Sequence, residues 1–236
     1  MKIALCMLTL NELEGCKHDI PIIKKLNKHF TRIFVVDNGS TDGTIDYLKK
    51  QNVEVYYKKG ISYNDMHILA VKKCKTDAIV FFHPKGTIPV KDTLKFRKYF
   101  EDGYDFIVAN RIMKGAVNEE NRKLLKPRKW MTIFLAIISA LIWRTEGNVV
   151  WDVFHGFRGL TVDAFKKINP EKNERTIDIE EVVESYKKTI KRIEFPTKEK
   201  SRKSGKTHFK TIPFGIEIIR FFLRKYLFTF TPKHTL

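Results

Sequence analysis

The chain has 236 residues, 43% of them hydrophobic and 18 of them Phe, with only 12 Gly and 8 Pro; this excludes a disordered, collagenous or low-complexity chain and is enough for one sizeable core with room for an appendage. Lys and Arg number 45 against 27 Asp and Glu, and the resulting charge of +18 implies an anionic partner: nucleic acid, a phosphorylated substrate or an acidic membrane surface. The three cysteines, Cys6, Cys16 and Cys74, have no Cys-x-x-Cys spacing, so neither a disulfide framework nor a zinc site is expected and the thiols suit a reducing compartment.

In chain order, the apolar run after Met1-Lys2 is too short for a signal peptide, has no small-residue cleavage site and reads as a first strand. Strands are predicted at 2–8, 32–37, 53–57, 78–82 and 106–109, with helical segments such as 19–30 and 63–73 between them. That alternation predicts βαβ units and a mostly parallel α/β sheet, whose ligands sit beyond the carboxyl ends of the strands. After Asn110 a basic stretch, 122–129, leads into the uncharged run 130–143. As a helix its fourteen residues reach about 21 Å, short of a ~30 Å hydrocarbon core, so it is expected to be buried or to lie in an interface. The tail 213–230 is basic, aromatic and amphipathic, which suits either packing on the sheet or a membrane surface. Two pieces are therefore expected: 1–212, including an apolar interface helix at 122–143, and a C-terminal amphipathic helix at 213–236.

Two loops bear chemistry. Leu8-Thr9-Leu10-Asn11-Glu12 closes the first strand with short polar side chains and backbone amides that could grip a base or ribose. Val36-Asp37-Asn38-Gly39-Ser40-Thr41-Asp42-Gly43-Thr44 puts a carboxylate at the end of the second strand, then glycines for a tight turn, then a helix start. As physics this is a nucleotide or anion loop; an Asx turn with an N-cap and no ligand is the plainer alternative.

In this order the two segments resemble the family-2 glycosyltransferases of GT-A fold, whose elements are Thr-x-Asn-Glu and Asp-Asp-Gly-Ser-Thr-Asp-Gly-Thr; here Asn38 replaces the second Asp. The second half resembles one branch, the polyprenyl-phosphate glycosyltransferases of the dolichol-phosphate mannose synthase type. The matching words are Asn110-Arg111, Asp152-Val153-Phe154-His155-Gly156-Phe157-Arg158, Glu194-Phe195-Pro196 and Arg202-Lys203-Ser204-Gly205-Lys206-Thr207-His208. The resemblance implies a nucleotide-sugar site at Thr9, Asn11, Glu12 and Asp37, to which Gly39 and Ser40 of the same loop and His83 and Lys85 after the fourth strand are added as candidates, and an acceptor-phosphate site at Arg111, Arg128, Arg158, Arg202 and Lys206. Lys85, Asp152 and Arg202 are the candidate catalytic side chains, and the resemblance further implies a UDP- or GDP-sugar donor, a polyprenyl phosphate acceptor and a peripheral place on the cytoplasmic side of a membrane.

The branch's metal-binding Asp-x-Asp is replaced by His83-Pro84-Lys85. A protonated Lys has no acceptor and a lone His is a poor site for magnesium, so no metal ligand is assigned and dependence on Mg or Mn is not expected. Either Lys85, with His83, replaces the metal electrostatically in a metal-independent inverting transferase, or the chain is an inactive, membrane-associated sugar-nucleotide-binding protein. Transfer to a non-lipid glycan acceptor is a further alternative. Asp152 is expected to line the sugar side or to pair structurally with Arg158, while Asp178, Glu180 and Glu181 are expected to cap a helix start. No nucleic-acid module is recognised despite the charge, so nucleic acid is not an expected partner.

Overall fold

The computed structural model describes residues 1–118, 127–201 and 211–230. Its strands are β1 (Ile3–Thr9), β2 (Arg32–Asp37), β3 (Glu54–Tyr57), β4 (Ala78–Phe82), β5 (Phe106–Asn110), β6 (Arg158–Thr161) and β7 (Arg192–Pro196). The helices are α1 (Leu13–Lys25), α2 (Thr44–Lys50), α3 (Tyr63–Cys74), α4 (Lys95–Glu101), α5 (Pro127–Trp143), α6 (Val162–Ile168), α7 (Ile177–Lys187) and α8 (Thr211–Phe230). Contacts divide the chain into two compact units, Met1–Gly205 and Lys206–Leu236.

One mixed sheet runs β3-β2-β1-β4-β6-β5-β7. Only β6 is antiparallel, inserted between β4 and β5; the other pairs are parallel. β1 and β4 lie in the middle with every residue buried, which is why they read as unbroken apolar runs rather than as alternation. Because β6 runs backwards, its first residue, Arg158, sits opposite Phe81 near the carboxyl end of β4. The carboxyl edge thus collects the turns after Thr9, Asp37, Phe82, Asn110 and Pro196 together with the 152–157 segment.

Strand positions follow the apolar runs closely, while β6 lies in the Gly-Phe-Arg word and β7 in the Glu-Phe-Pro word, neither of which reads as a strand locally. The first helix is a correction: it spans Leu13–Lys25 and carries Pro21 inside it, rather than starting at Asp19. A proline suits a helix start, but here tertiary partners supply the start earlier. Leu13 N donates to Asp42 Oδ2 at 3.0 Å and Glu12 N to Thr44 Oγ1 at 3.1 Å, satisfying amides that a helix leaves open.

α5 packs against α7 with Thr132, Leu135, Ala136, Ser139 and Trp143 inward. Its other face shows Trp130, Met131, Phe134, Ile137 and Leu141 to solvent, Leu141 at 80% exposure. In the second unit, α8 exposes Ile216, Ile219, Leu223 and Leu227, an apolar stripe at helical spacing. Among the described residues no helix is long and apolar enough to cross a membrane.

Candidate functional site

The two loops expected to hold a nucleotide sugar interlock. Asn11 N donates to Ser40 Oγ at 2.8 Å and Thr41 N returns a bond to Asn11 Oδ1 at 2.8 Å. Asn11 itself is left-handed, at φ 53, a conformation asparagine tolerates better than most side chains. Asp37 is buried, and both its oxygens are used by the loop. Oδ1 accepts from Gly39 N and Ser40 N at 2.9 and 2.8 Å, and Oδ2 accepts from the Thr9 and Ser40 hydroxyls at 2.7 and 2.6 Å. Four donors fill the carboxylate, so Asp37 and Thr9 build the loop, with exposed Asn11 and half-buried Ser40 beside them. Glu12 and Gly39 are both buried within the same loop pair.

Asn38 makes two bonds that together require an amide. Its Nδ2 donates to Ile61 O at 3.0 Å while its Oδ1 accepts from Ile61 N at 2.9 Å. An ionised Asp has no donor for the first bond.

Beyond β4, the His83 ring lies against Gly156, where a Cβ would come within 2.7 Å of both His83 Cε1 and the Tyr63 hydroxyl. Tyr63 Oη stands 3.2 Å from His83 Nε2. Lys85 N donates to His83 O at 2.9 Å, making a tight turn. Lys85 is half-buried, and its positive charge helps keep the Glu199 carboxyl ionised.

On the far side of that turn, Arg111 grips Asp152 with two parallel bonds of 2.8 Å, from Nε to Oδ2 and from Nη2 to Oδ1, and reaches Glu199 Oε2 from Nη1 at 2.9 Å. Burial pushes the Asp152 carboxyl up, but Arg111 outweighs it and holds the group down at about 2. Burial and the Arg111 charge lower His155 to about 4, so its ring is neutral. His155 Nδ1 donates to the Ala109 carbonyl, and its buried Nε2 has no hydrogen-bond partner among the described residues. Glu194 accepts from Trp151 N and Asp152 N, both at 2.9 Å, and so orients the residue that Arg111 holds.

The acceptor-phosphate residues need correction. Arg158 is fully buried; it donates to the His155 carbonyl from Nε and Nη2, and from Nη1 to the Asp178 carbonyl and to Glu181 Oε2 at 3.0 Å. It braces the sheet edge and faces no ligand. Its carboxylate partners are Glu181 and Asp178, so Asp152 is an ion-pair partner, but of Arg111. Asp178 and Glu181 therefore neutralise a buried guanidinium, and Glu180 accepts from Asn64 Nδ2 and Glu171 N, where capping was expected. Arg111 is part of the site but already engaged by two carboxylates. Arg128 is exposed at the start of α5. Arg202 and Lys206 lie outside the described residues.

Four residues around the site were not assigned from the sequence: Glu194 lies in the Glu-Phe-Pro word, Glu199 between that word and the basic one that follows, and Gly15 and Asp19 in α1. Asp19 leaves one trace, a carboxylate among Cys16, Ile20 and Ile23 on the buried face of a helix.

A mostly parallel sheet whose carboxyl edge gathers two interlocked donor-side loops and a third loop after β4 is the layout of the GT-A, Rossmann-like glycosyltransferases. Residues 9–169 match the family model Glycosyl transferase family 2, and the chain belongs to that family. It is 25% identical over 208 residues to glycosyltransferase AglJ of Haloferax volcanii, a match covering 86% of this chain and 65% of that relative's length. Among solved structures it is similar to glucosyl-3-phosphoglycerate synthase of Mycobacterium tuberculosis in complex with Mn2+, UDP and glucosyl-3-phosphoglycerate. There the TM-score is 0.66 at 12% identity, covering 94% of this chain and 79% of that one. The UDP complex of the same enzyme gives a TM-score of 0.66 at 13% identity over 91% and 75% of the two chains. That likeness is one of fold.

The Mn2+ named in the first of those complexes does not fit the described residues here. His83 Nε2 is taken up by Tyr63, Lys85 has no lone pair to give when protonated, and among the described residues no group of three or more His, Cys, Asp or Glu could hold an ion.

Proposed function

We propose that this chain transfers a sugar from a UDP- or GDP-sugar to a polyprenyl phosphate, with inversion and without a divalent metal, at the cytoplasmic surface of a membrane. The observation that carries the reading is the Lys85 turn at the carboxyl end of β4, a half-buried cation that acts electrostatically on Glu199, a partner of Arg111. The acceptor phosphate is anionic near neutral pH and needs no strong base. Its oxygen bonds to the anomeric carbon while the bond to the nucleoside diphosphate breaks on the opposite face, and Lys85 neutralises charge on the departing diphosphate. The exposed apolar face of α5, with Arg128 and Lys129 at its start, suits a lipid acceptor in an anionic surface.

One observation favours a second reading, transfer to a hydroxyl of a non-lipid acceptor. With Nδ1–H given to Ala109, His155 Nε2 carries a lone pair with no hydrogen-bond partner among the described residues, suited to accept a hydrogen bond from, and so orient, an acceptor hydroxyl.

Product formation from a panel of sugar nucleotides, with polyprenyl phosphate in detergent or with soluble phosphorylated and glycan acceptors, tests both. Transfer to the lipid that persists in excess EDTA and is greatly lowered in Lys85→Ala is the expected result. Transfer to soluble acceptors alone would select the second reading. Nucleotide binding without turnover would make the chain a binding protein, and loss of turnover in EDTA would remove the role of Lys85.

A further inference from the structure

One face of α1 grips the turn that presents Lys85. Gly15, His18 and Asp19 stand at helical spacing on that face. Pro84 crosses Gly15 so closely that a Cβ there would come within 2.0 Å of the Pro84 carbonyl oxygen and 2.7 Å of Lys85 Cα. Asp19 Oδ2 accepts from Gly86 N at 2.9 Å, and its Oδ1 accepts from His18 Nδ1 at 2.8 Å. The His18 ring lies in contact range of Gly86, which takes φ +67. Asp19 is wholly buried, and burial raises its carboxyl above the ordinary range. A buried carboxylate is a poor choice for packing alone, yet here both oxygens are spent on the turn and on the imidazole beside it. The other end of α1 is tied to Asp42 and Thr44, so one helix joins the donor-side loops to the Lys85 turn.

We infer that Asp19 is a positioning residue, which fixes Gly86 N, and with Gly15 and His18 sets the Lys85 ammonium where the diphosphate of the donor is bound. This rests on the role proposed for Lys85. Asp19 touches no ligand itself; it acts by removing alternative conformations of the turn, which a flexible lysine would otherwise have to lose on binding.

The test compares UDP with UMP, or GDP with GMP, by calorimetry on the full chain, using whichever base the wild type binds. Asp19→Ala and Lys85→Ala are each expected to weaken the diphosphate about tenfold and to leave the monophosphate unchanged, the size of one charge-assisted contact. The double variant should be no weaker than Lys85→Ala alone, because the two act as one unit. Asp19→Asn, which keeps an acceptor for Gly86 N, should restore most of the affinity. His18→Ala, altered on the exposed side of the clamp, should weaken the diphosphate by about two- to threefold, which keeps the test open if Asp19→Ala does not fold.

Normal diphosphate affinity in Asp19→Ala or His18→Ala, with Lys85→Ala weak, would overturn the positioning role while leaving Lys85 in place. Equal loss of diphosphate and monophosphate, with additive effects, would reduce Asp19 to a fold-stabilising residue. Normal diphosphate affinity in Lys85→Ala would remove the Lys85 reading and this inference with it.

Discussion

Buried charge decides much at the scale of single residues. Arg158 has Glu181 and Asp178 as carboxylate partners inside the protein, so Arg158→Met would strand negative charge there. A loss of about 3 kcal/mol or more is expected, because an uncompensated buried charge is worse than no pair at all; urea unfolding of the variant checks it. Glu194 works with the opposite sign. Burial, helped by the nearby Asp152 charge, raises its carboxyl from 4.5 to about 7 against the pull of two backbone amides. Between these values the folded chain holds a proton that the unfolded chain has released, so this group's contribution to stability falls as pH rises through the window. Glu194→Gln does not titrate and should flatten the dependence of the unfolding midpoint between pH 5 and 7. Asp152, lowered from 3.8 to about 2, contributes stability above 3.8 that is lost only as pH falls toward 2, well below the Glu194 window.

At the scale of elements, α1 and α5 show two uses of one pattern. Both are helices with an apolar face against the sheet or a neighbour, but α1 places a glycine and a carboxylate among the buried positions to hold a turn, while α5 leaves a second apolar face uncovered. Trp130, Phe134, Ile137 and Leu141 on that face are 43–80% exposed, a contiguous patch of the kind that marks a contact surface. Replacing Phe134 and Leu141 together by Ser should cut co-flotation with anionic vesicles several-fold while moving the melting temperature little, since both side chains are already in solvent. Unchanged flotation would mean that α5 is not the membrane contact.

For the whole molecule the +18 charge is a long-range term. If it draws the protein to an acidic bilayer, the affinity for vesicles containing anionic lipid should fall steeply as salt rises from ~50 to ~500 mM, because the Debye length shortens toward the size of one side chain. The part that survives high salt measures the apolar contribution of the exposed helix faces. Titration of vesicle binding at several ionic strengths separates the two, and binding that ignores salt would detach the charge from membrane contact.

The sequence by itself determined the α/β class, five of the strands and the two polar loops after the first two strands, because each is written in contiguous residues: apolar runs, turn glycines and short polar motifs. Tertiary structure alone decided which charges are already paired within the protein. Arg111, Arg158 and Asp37 read as available groups, and each is engaged by partners 2 to 88 positions away. β6 could not be read locally because its place between β4 and β5 depends on reversing direction within the sheet. The clamp of α1 on Lys85 joins residues 67 apart at Asp19 and Gly86, and no local pattern reports a contact that exists only because β1 and β4 lie side by side.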